Sequence, residues 1–202
     1  MAKEKISMAV LFADVSGSTS MYESLGDTAA FGNVRKVTEL LTGVTQAFSG
    51  RVVKQIGDGL MCAFPDADGA ANAAAEMQRQ IMLLPPLAGG KKLAIRVGFH
   101  YGPVIQDSDE VFGDSVNMAA RMAGLALSGQ AVTDSDTVAA LSSSLRDITR
   151  RLDALAVKGE AEGIEVHELM WQASSDRTVI PDRPSSIANR RVRINTSDFV
   201  AA

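Results

Sequence analysis

The sequence predicts an α+β domain in which two long helices pack on a β-sheet. Apolar residues recur at steps of three and four from Phe31 to Phe48 and again from Ala67 to Leu84, a spacing typical of helices that bury one face. The continuous apolar run Met8–Phe12 predicts a buried strand. At 202 residues, the chain is long enough for one domain and a tail.

The composition narrows the class of protein. The chain is 46% hydrophobic and 22% charged, with a net charge of −4, and this acidic balance argues against a broad nucleic-acid surface. Its single cysteine, Cys62, lies in an apolar segment, so we expect a packed thiol and no disulfide. The sequence contains neither a signal-peptide pattern nor an apolar run long enough to span a membrane. We therefore expect a cytoplasmic protein.

Segment 52–64 contains a Gly-Asp-Gly turn between two β-rich runs, which predicts a tight hairpin with Asp58 at its tip. The strand period of two places Lys54 on one face with Val52 and Ile56. Lys54 is then a charge on an otherwise apolar face. Taken alone, these features are equally explained by a turn-forming aspartate and a surface lysine.

A second carboxylate, Asp14, follows the first apolar run and precedes a turn of small residues at 15–19. If this turn leads into a helix, its backbone N–H groups favour a phosphate. Capping of that helix by Ser18 or Thr19 is the alternative, and the two roles are compatible.

Two later segments carry polar residues among apolar ones. Residues 93–101 predict a strand that ends at Gly102-Pro103, and Arg96 within it either extends to solvent or faces an anion. His100 is interpreted as a hydrogen-bonded core residue. After an acidic loop at 106–110, a helix from Val116 to Leu127 carries Asn117 and Arg121 four residues apart. They share one helix face, which suits a polar ligand.

The end of the chain differs in composition. Segments 152–157 and 164–170 flank a glycine-containing turn and predict a last hairpin. From residue 172 the composition changes to Ser, Asp, Arg, Pro and Asn. We expect residues 6–171 to form the domain and 172–202 to be a linker or tail, partly disordered.

Taken in order, these segments resemble the signature set of class III nucleotidyl cyclases over residues 6–171. The matching motifs are Phe12-Ala13-Asp14, Lys54-x-x-Gly57-Asp58, Arg96-Val97-Gly98-x-His100-x-Gly102, Val111-Phe112-Gly113-x-x-Val116-Asn117-x-Ala119-x-Arg121-Met122 and Val157-Lys158-Gly159. Each motif alone is weak, but the ordered set is specific. The resemblance implies a ferredoxin-like βαββαβ core with additional strands and helices. It also implies a head-to-tail homodimer with two equivalent shared active sites.

The resemblance implies that Asp14, Asp58 and the carbonyl of Val15 bind two Mg²⁺ or Mn²⁺ ions per active site. The residue types fit the chemistry, because cyclising a nucleoside triphosphate ionises a ribose hydroxyl and expels pyrophosphate. Two carboxylates can hold two divalent ions for both tasks, and oxygen ligands suit Mg²⁺ or Mn²⁺.

Further roles follow from the resemblance. Arg96 and Lys158 would bind the triphosphate, Asn117 would orient the ribose, and Arg121 would stabilise charge on the α-phosphate. In the family, Arg96 and the metal aspartates come from one subunit, and Lys54, Asn117, Arg121 and Lys158 come from the other.

The choice of base follows from hydrogen-bonding chemistry. Lys54 only donates and ionised Glu110 only accepts, a pair that complements adenine and opposes guanine. We therefore predict an adenylate cyclase that converts ATP to 3′,5′-cyclic AMP and pyrophosphate. Glu110 departs from the family pattern, in which Asp or Thr is usual at this position, so its alternative interpretation is a solvated loop carboxylate.

Other hypotheses remain open at this point. A guanylate cyclase is one alternative. A catalytically silent nucleotide-binding dimerisation module is another, but such relatives typically lose a metal carboxylate or the transition-state arginine, and Asp14, Asp58, Asn117 and Arg121 are all present here. A polymerase-palm-like or diguanylate cyclase enzyme is less suitable, because the hairpin reads Ile56-Gly57-Asp58-Gly59 instead of Gly-Gly-acidic. The tail after Gln172 leaves room for a C-terminal regulatory domain.

Overall fold

Strand β1 is the central strand around which the fold is arranged. The structure is a computed structural model that describes residues 5–87, 90, 92–152 and 164–172. In chain order its elements are β1 (Lys5–Val15), α1 (Ser18–Leu25), α2 (Asp27–Ala47), β2 (Arg51–Ile56), β3 (Gly59–Phe64), α3 (Ala67–Leu83), β4 (Ile95–Asp107), β5 (Glu110–Phe112), α4 (Asp114–Leu125), β6 (Ala131–Asp134), α5 (Ser135–Ala140), α6 (Ser143–Arg146), β7 (Thr149–Arg151) and β8 (Val166–Leu169). None of the described helices is both long enough and apolar enough to cross a bilayer.

The strands form one sheet with a ferredoxin-like centre. Within the described residues the strand order is β2-β3-β1-β4-β6-β8-β7, with β5 paired to β4. Strand β1 is antiparallel to both β3 and β4. Helix α2 connects β1 to β2, and α3 connects β3 to β4, which gives the βαββαβ order. The predicted fold class is confirmed, with β5 to β8 and the shorter helices as additions.

Helices α2 and α3 cover one face of the sheet. Leu11, Phe64 and Phe99 project from the strands into this core, where α3 packs closely because most of its buried residues are alanines. Cys62 lies in the same core with Sγ 3.4 Å from the Thr45 hydroxyl oxygen. Burial raises the pKa of the Cys62 thiol to about 11, so it is a packed thiol, as predicted.

Helix α4 covers the other face and approaches β4 at backbone distance. Gly98 permits this approach, since a Cβ at that position would lie 1.8 Å from the Ala123 backbone nitrogen. Val116 and Ala119 of α4 pack against Val10 and other residues of the central strands. The position of α4 over the sheet is therefore fixed by main-chain contact.

Strand β4 does not end at Gly102-Pro103, and this prediction was wrong. Pro103 lies opposite Ser7 in the β1–β4 ladder, and β4 continues to pair with β5. Strand β6 pairs with β4 only at Val97 and Gly98. Pro103 therefore has a ladder partner on one side only among the described residues, the kind of edge position that tolerates proline. The predicted acidic loop at 106–110 is instead the tip of the β4–β5 hairpin.

The last described hairpin pairs β7 (Thr149–Arg151) with β8 (Val166–Leu169). Strand β8 lies within the predicted segment 164–170, whereas only Leu152 of the predicted segment 152–157 is among the described residues. Residues 153–163, which include Lys158, lie outside the described residues, as does the predicted tail from 173 onward.

His100 is a hydrogen-bonded core residue, as predicted. Its Nδ1 lies 3.0 Å from the Asp134 carboxylate, which also accepts a hydrogen bond from the Thr137 hydroxyl. Burial alone would raise the pKa of Asp134, but the hydrogen bonds from His100 and Thr137 lower it overall. The ionised carboxylate therefore links β4, β6 and α5.

We predict that Gly98→Ala destabilises the fold by more than about 3 kcal/mol, because the new methyl group meets backbone atoms that cannot move independently. Gly43→Ala is the matched control. Gly43 is exposed on α2, and a methyl group added there would have no neighbour within 4 Å, so alanine should stabilise the helix by about 0.5–1 kcal/mol. Urea unfolding measures both, and equal stabilities for Gly98→Ala and the wild type would contradict the close-packing argument.

A second prediction concerns pH. The lowered pKa of Asp134 means that its ionised form stabilises the fold above the ordinary value of 3.8, and this contribution is lost as pH falls through the folded-state pKa. Asp134→Asn should cost about 2 kcal/mol at pH 7, and the deficit should shrink below the ordinary pKa.

Urea unfolding between pH 7 and pH 3 measures this difference. Asp136→Asn alters an exposed carboxylate in the helix that follows Asp134 and should change stability by less than about 0.5 kcal/mol. A deficit of Asp134→Asn that stays constant with pH would show that the carboxylate charge is not its source.

Candidate active site

The β2–β3 hairpin presents Asp58 at its tip, as predicted. Gly57 and Asp58 form a two-residue turn, and Gly57 adopts a φ of 58°, in the left-handed region that favours glycine. Asp58 is half-buried, and two paired strands hold it in position.

The hairpin tip lies directly against the end of β1. A Cβ on Gly59 would lie 2.9 Å from the Ala13 carbonyl oxygen and 3.3 Å from Asp14 Oδ1. The absence of a side chain at Gly59 thus allows the turn to approach Asp14. The close neighbour of Gly59 is therefore the chain's own β1.

Arg96 forms an ion pair with Asp14 at this position. It lies opposite Asp14 in the β1–β4 ladder, and its Nε donates to Asp14 Oδ2 over 2.6 Å. Its Nη2 also pairs with that oxygen. Of the two alternatives for Arg96, the structure has it facing an anion, which here is the chain's own carboxylate.

The electrostatics of this group suit a divalent cation. Burial raises the pKa of Asp14, and the nearby negative charge of Asp58 raises it further, while Arg96 lowers it. The pKa remains above its ordinary value mainly because the carboxyl group is buried, with repulsion from Asp58 as the second cause. In the described part of the chain, no cluster of three or more His, Cys, Asp or Glu side chains is present. The candidate metal ligands among the described acidic side chains are therefore the carboxylates of Asp14 and Asp58, with the Val15 backbone next to Asp14.

The turn after Asp14 leads into helix α1, as the phosphate-binding hypothesis requires. Helix α1 begins at Ser18, and its N-cap is Gly17 with φ 74°. The N-cap residue Gly17 has no side chain, so Ser18 is not the N-cap residue of this helix. The N-terminal end of a helix thus lies within a few residues of Asp14.

A β-bulge determines where Lys54 points. Val52 lies opposite Cys62, whereas Lys54 lies opposite Met61, with Val53 as the extra residue between them. Neighbouring positions on β3 face opposite sides of the sheet, so Lys54 and Val52 are on opposite faces. The prediction that they share a face was wrong, because a strand pattern read at a strict period of two does not reveal a bulge.

The bulge directs Lys54 into a cavity on the α4 side. This cavity has a volume of about 240 Å³. It contains three of the predicted site residues, which come from β2, β5 and α4. Its lining residues are Val53, Lys54, Met61, Glu110, Val111, Phe112, Gly113, Asp114, Val116 and Asn117.

A smaller cavity of about 40 Å³ lies next to the carboxylates and is lined in part by Asp14, Arg96 and Ala120. Arg121 follows Ala120 on α4, one turn beyond Asn117, and is half-buried. The predicted residues therefore fall into two groups, one at the cavity lined by the first half of α4 and one at the cavity lined by its second half.

Arg51 is a site residue that the sequence did not indicate. Its Nη1 donates to the Asp109 carbonyl oxygen over 2.5 Å, next to Glu110. An arginine at the start of an edge strand looks like an ordinary surface residue, and only the fold brings residues 58 positions apart into contact.

The comparisons with known proteins fit this geometry. The family model described as "Adenylate and Guanylate cyclase catalytic domain" matches residues 1–171. The chain belongs to this cyclase family. The class III resemblance is thereby confirmed, and catalytic domains of this class are metal-dependent in general.

Relatives of the cyclase domain include proteins named adenylate cyclase. That of Anabaena cylindrica is 27% identical over 182 residues, covering 80% of this chain and 36% of the relative. That of Glutamicibacter nicotianae is 26% identical over 167 residues, covering 81% and 39%. The chain therefore spans less than two fifths of the length of either protein.

Among solved structures, the catalytic core of a rhodopsin-guanylyl cyclase with converted specificity, in complex with ATPαS, superposes with a TM-score of 0.73. The match covers 82% of this chain and 97% of that one at 24% identity. At this identity the likeness establishes the shared fold.

Proposed function

We propose that this cyclase domain is an adenylate cyclase that converts ATP to 3′,5′-cyclic AMP and pyrophosphate. The observation that carries the proposal is the cavity that brings Lys54 of β2, Glu110 of β5 and Asn117 of α4 together. A cationic donor and an anionic acceptor that line the same cavity suit a ligand with matching polar edges.

The base preference follows from the direction of each hydrogen bond. Adenine accepts at N1 and donates from N6, so Lys54 can donate to the ring and Glu110 can accept from the amino group. Guanine reverses both directions and would set donor against donor and acceptor against acceptor. The apolar side chains of Met61, Val111 and Val116 line the same cavity and suit a flat aromatic base.

The carboxylate pair fits the metals that the family implies. Burial raises the pKa of Asp14, and repulsion from the Asp58 carboxylate raises it further. A bound cation would relieve the repulsion between the two carboxylates. Two Mg²⁺ or Mn²⁺ ions bound by Asp14, Asp58 and the Val15 carbonyl would supply Lewis-acid stabilisation of the ionised 3′-hydroxyl and the leaving phosphates.

The remaining roles fall to side chains of the protein. Asn117 orients the ribose so that its 3′-oxygen faces the α-phosphorus. Arg121 donates hydrogen bonds to the α-phosphate as negative charge develops there. Arg96 and Lys158 bind the triphosphate, and for this Arg96 exchanges the Asp14 carboxylate for a phosphate oxygen.

The proposed enzyme is a homodimer with two shared sites. Asp14, Asp58 and Arg96 of one subunit face Lys54, Asn117, Arg121 and Lys158 of the other. The location of these residues at two separate cavities, lined by opposite halves of α4, supports this arrangement. The catalytic unit is residues 6–171, with 172–202 as a linker or tail, in a cytoplasmic protein.

We predict cyclic AMP formation when the purified chain is incubated with Mn²⁺ and ATP, and much less cyclic GMP from GTP. Asp58→Ala should reduce turnover by at least about 100-fold, since it removes a metal ligand. Asp147→Ala is the matched control, because Asp147 is exposed near β7 at the opposite edge of the sheet. Product quantified by chromatography decides the outcome.

Cyclic GMP as the main product would make the domain a guanylate cyclase and contradict the base assignment. Nucleotide binding without any cyclic product, in a verified dimer, would instead indicate the silent dimerisation module.

The shared site predicts complementation. Asp58→Ala and Arg121→Ala should each be inactive, but an equimolar mixture should recover about a quarter of wild-type activity, because half of the dimers are mixed and each has one intact site. A mixture of Asp58→Ala with Asp14→Ala should recover none, since both residues come from the same subunit. No recovery in the first mixture, with heterodimers demonstrated by native mass spectrometry, would refute the shared site.

A further inference from the structure

The base cavity lies between two hairpins that are not neighbours in the sheet. Lys54 belongs to the β2–β3 hairpin and Glu110 to the β4–β5 hairpin, and β1 lies between β3 and β4. The distance between the Lys54 and Glu110 side chains is therefore not set by a shared strand ladder. A contact between the two hairpins can therefore set the distance between Lys54 and Glu110.

Arg51 makes such a contact. It lies opposite Ala63 on β3, and Ala63 belongs to the core on the α4 face. The bulge at Val53 brings Lys54 to that same face, although three positions separate it from Arg51. From there, Arg51 Nη1 reaches the Asp109 carbonyl at the tip of the other hairpin. We call this hydrogen bond the Arg51–Asp109 bridge.

The tip that the bridge reaches depends on such a contact for its position. Ser108 and Asp109 form a two-residue turn between Asp107 and Glu110, Ser108 has a φ of 55°, and all four residues are exposed. Glu110 has one more rotatable bond than aspartate, so its carboxylate is placed accurately only if the backbone beneath it is fixed. Asp109 is the adjacent residue.

The guanidinium is suited to this task. Arg51 Nη2 is buried and has no hydrogen-bond acceptor among the described residues. Leaving this buried N–H donor unpaired costs free energy. The side chain nevertheless extends to the Asp109 carbonyl through Nη1. A lysine at this position is shorter and would keep the positive charge without reaching the carbonyl.

We propose that Arg51 is a positioning residue for base selection, which acts through the Arg51–Asp109 bridge to hold Glu110 across the cavity from Lys54. The proposal rests on the proposed function of this cavity. It assigns the adenine–guanine choice to three side chains, of which Arg51 never touches the base.

The test compares kcat/KM for ATP and GTP in Arg51→Met and Arg51→Lys. Both variants should lower the ratio of kcat/KM for ATP to kcat/KM for GTP about tenfold, since a hydrogen bond to a charged group contributes on that order. The change should appear mainly in KM, because Arg51 does not contact the reacting atoms. Arg79→Met, which breaks an exposed ion pair with Glu76 on α3, is the matched control and should leave the preference unchanged.

A double-mutant cycle with Glu110→Ala tests whether Arg51 acts through Glu110. Arg51→Met added to Glu110→Ala should cause no further loss of preference. Additive effects would overturn the proposal, and so would a preference within twofold of wild type in Arg51→Met. A change in Arg51→Met alone, with Arg51→Lys like the wild type, would also overturn it, because charge instead of the bridge would then be responsible.

Failure of the proposed function is distinguishable from failure of this inference. A wild-type chain that cyclises neither nucleotide refutes the function before any variant is made. The Arg51 variants are then compared by displacement of a fluorescent methylanthraniloyl-ATP with ATP and GTP. The same tenfold change in relative affinity supports the bridge, and its absence overturns it.

Discussion

The main-chain contact between α4 and β4 at Gly98 is the constraint on which the candidate site depends. It leaves α4 no freedom to slide over the sheet, because backbone meets backbone with no side chain between. Asn117 and Arg121 lie on this helix, and residues of α4 line both cavities. The accuracy of the site therefore derives from a position with no side chain and no functional group.

The carboxylate pair illustrates a conflict between stability and function. Placing Asp58 beside Asp14 raises the pKa of Asp14 and leaves repulsion that the fold must offset. Arg96 partly compensates through its ion pair. The buried Asp134, in contrast, has a lowered pKa because hydrogen-bond donors surround it. Asp14 has a second carboxylate nearby, whereas Asp134 has hydrogen-bond donors, and these neighbours suit Asp134 to a structural role.

Much of this architecture could be predicted from the sequence, and the features that could not be predicted have physical causes. The two long helices, the central strands and the Asp58 hairpin follow from periodicity and turn chemistry, which are local signals. The continuation of β4 through Pro103 depends on which side of the strand lacks a partner, and the bulge at Val53 depends on pairing with β3. Both are properties of strand neighbours. Asp14, Asp58 and Arg96 could be predicted as site residues because they stand in motifs, whereas Arg51 could not, since its partner is a distant carbonyl.

The bulge in β2 also divides the strand into two segments with separate evolutionary constraints. Val52, before the bulge, packs against the core under α2 and α3. Lys54, after the bulge, lines the larger cavity. Val53 is the unpaired residue of the bulge, so its loss would leave Val52 opposite Cys62 and Lys54 opposite Met61 in a regular ladder, each on its present face. Regular pairing of Val53 with Met61 would instead exchange the faces of the residues after it and turn Lys54 away from the cavity, burying its charge. The direction of Lys54 therefore depends on the register of β2 against β3 and not on the number of residues in β2.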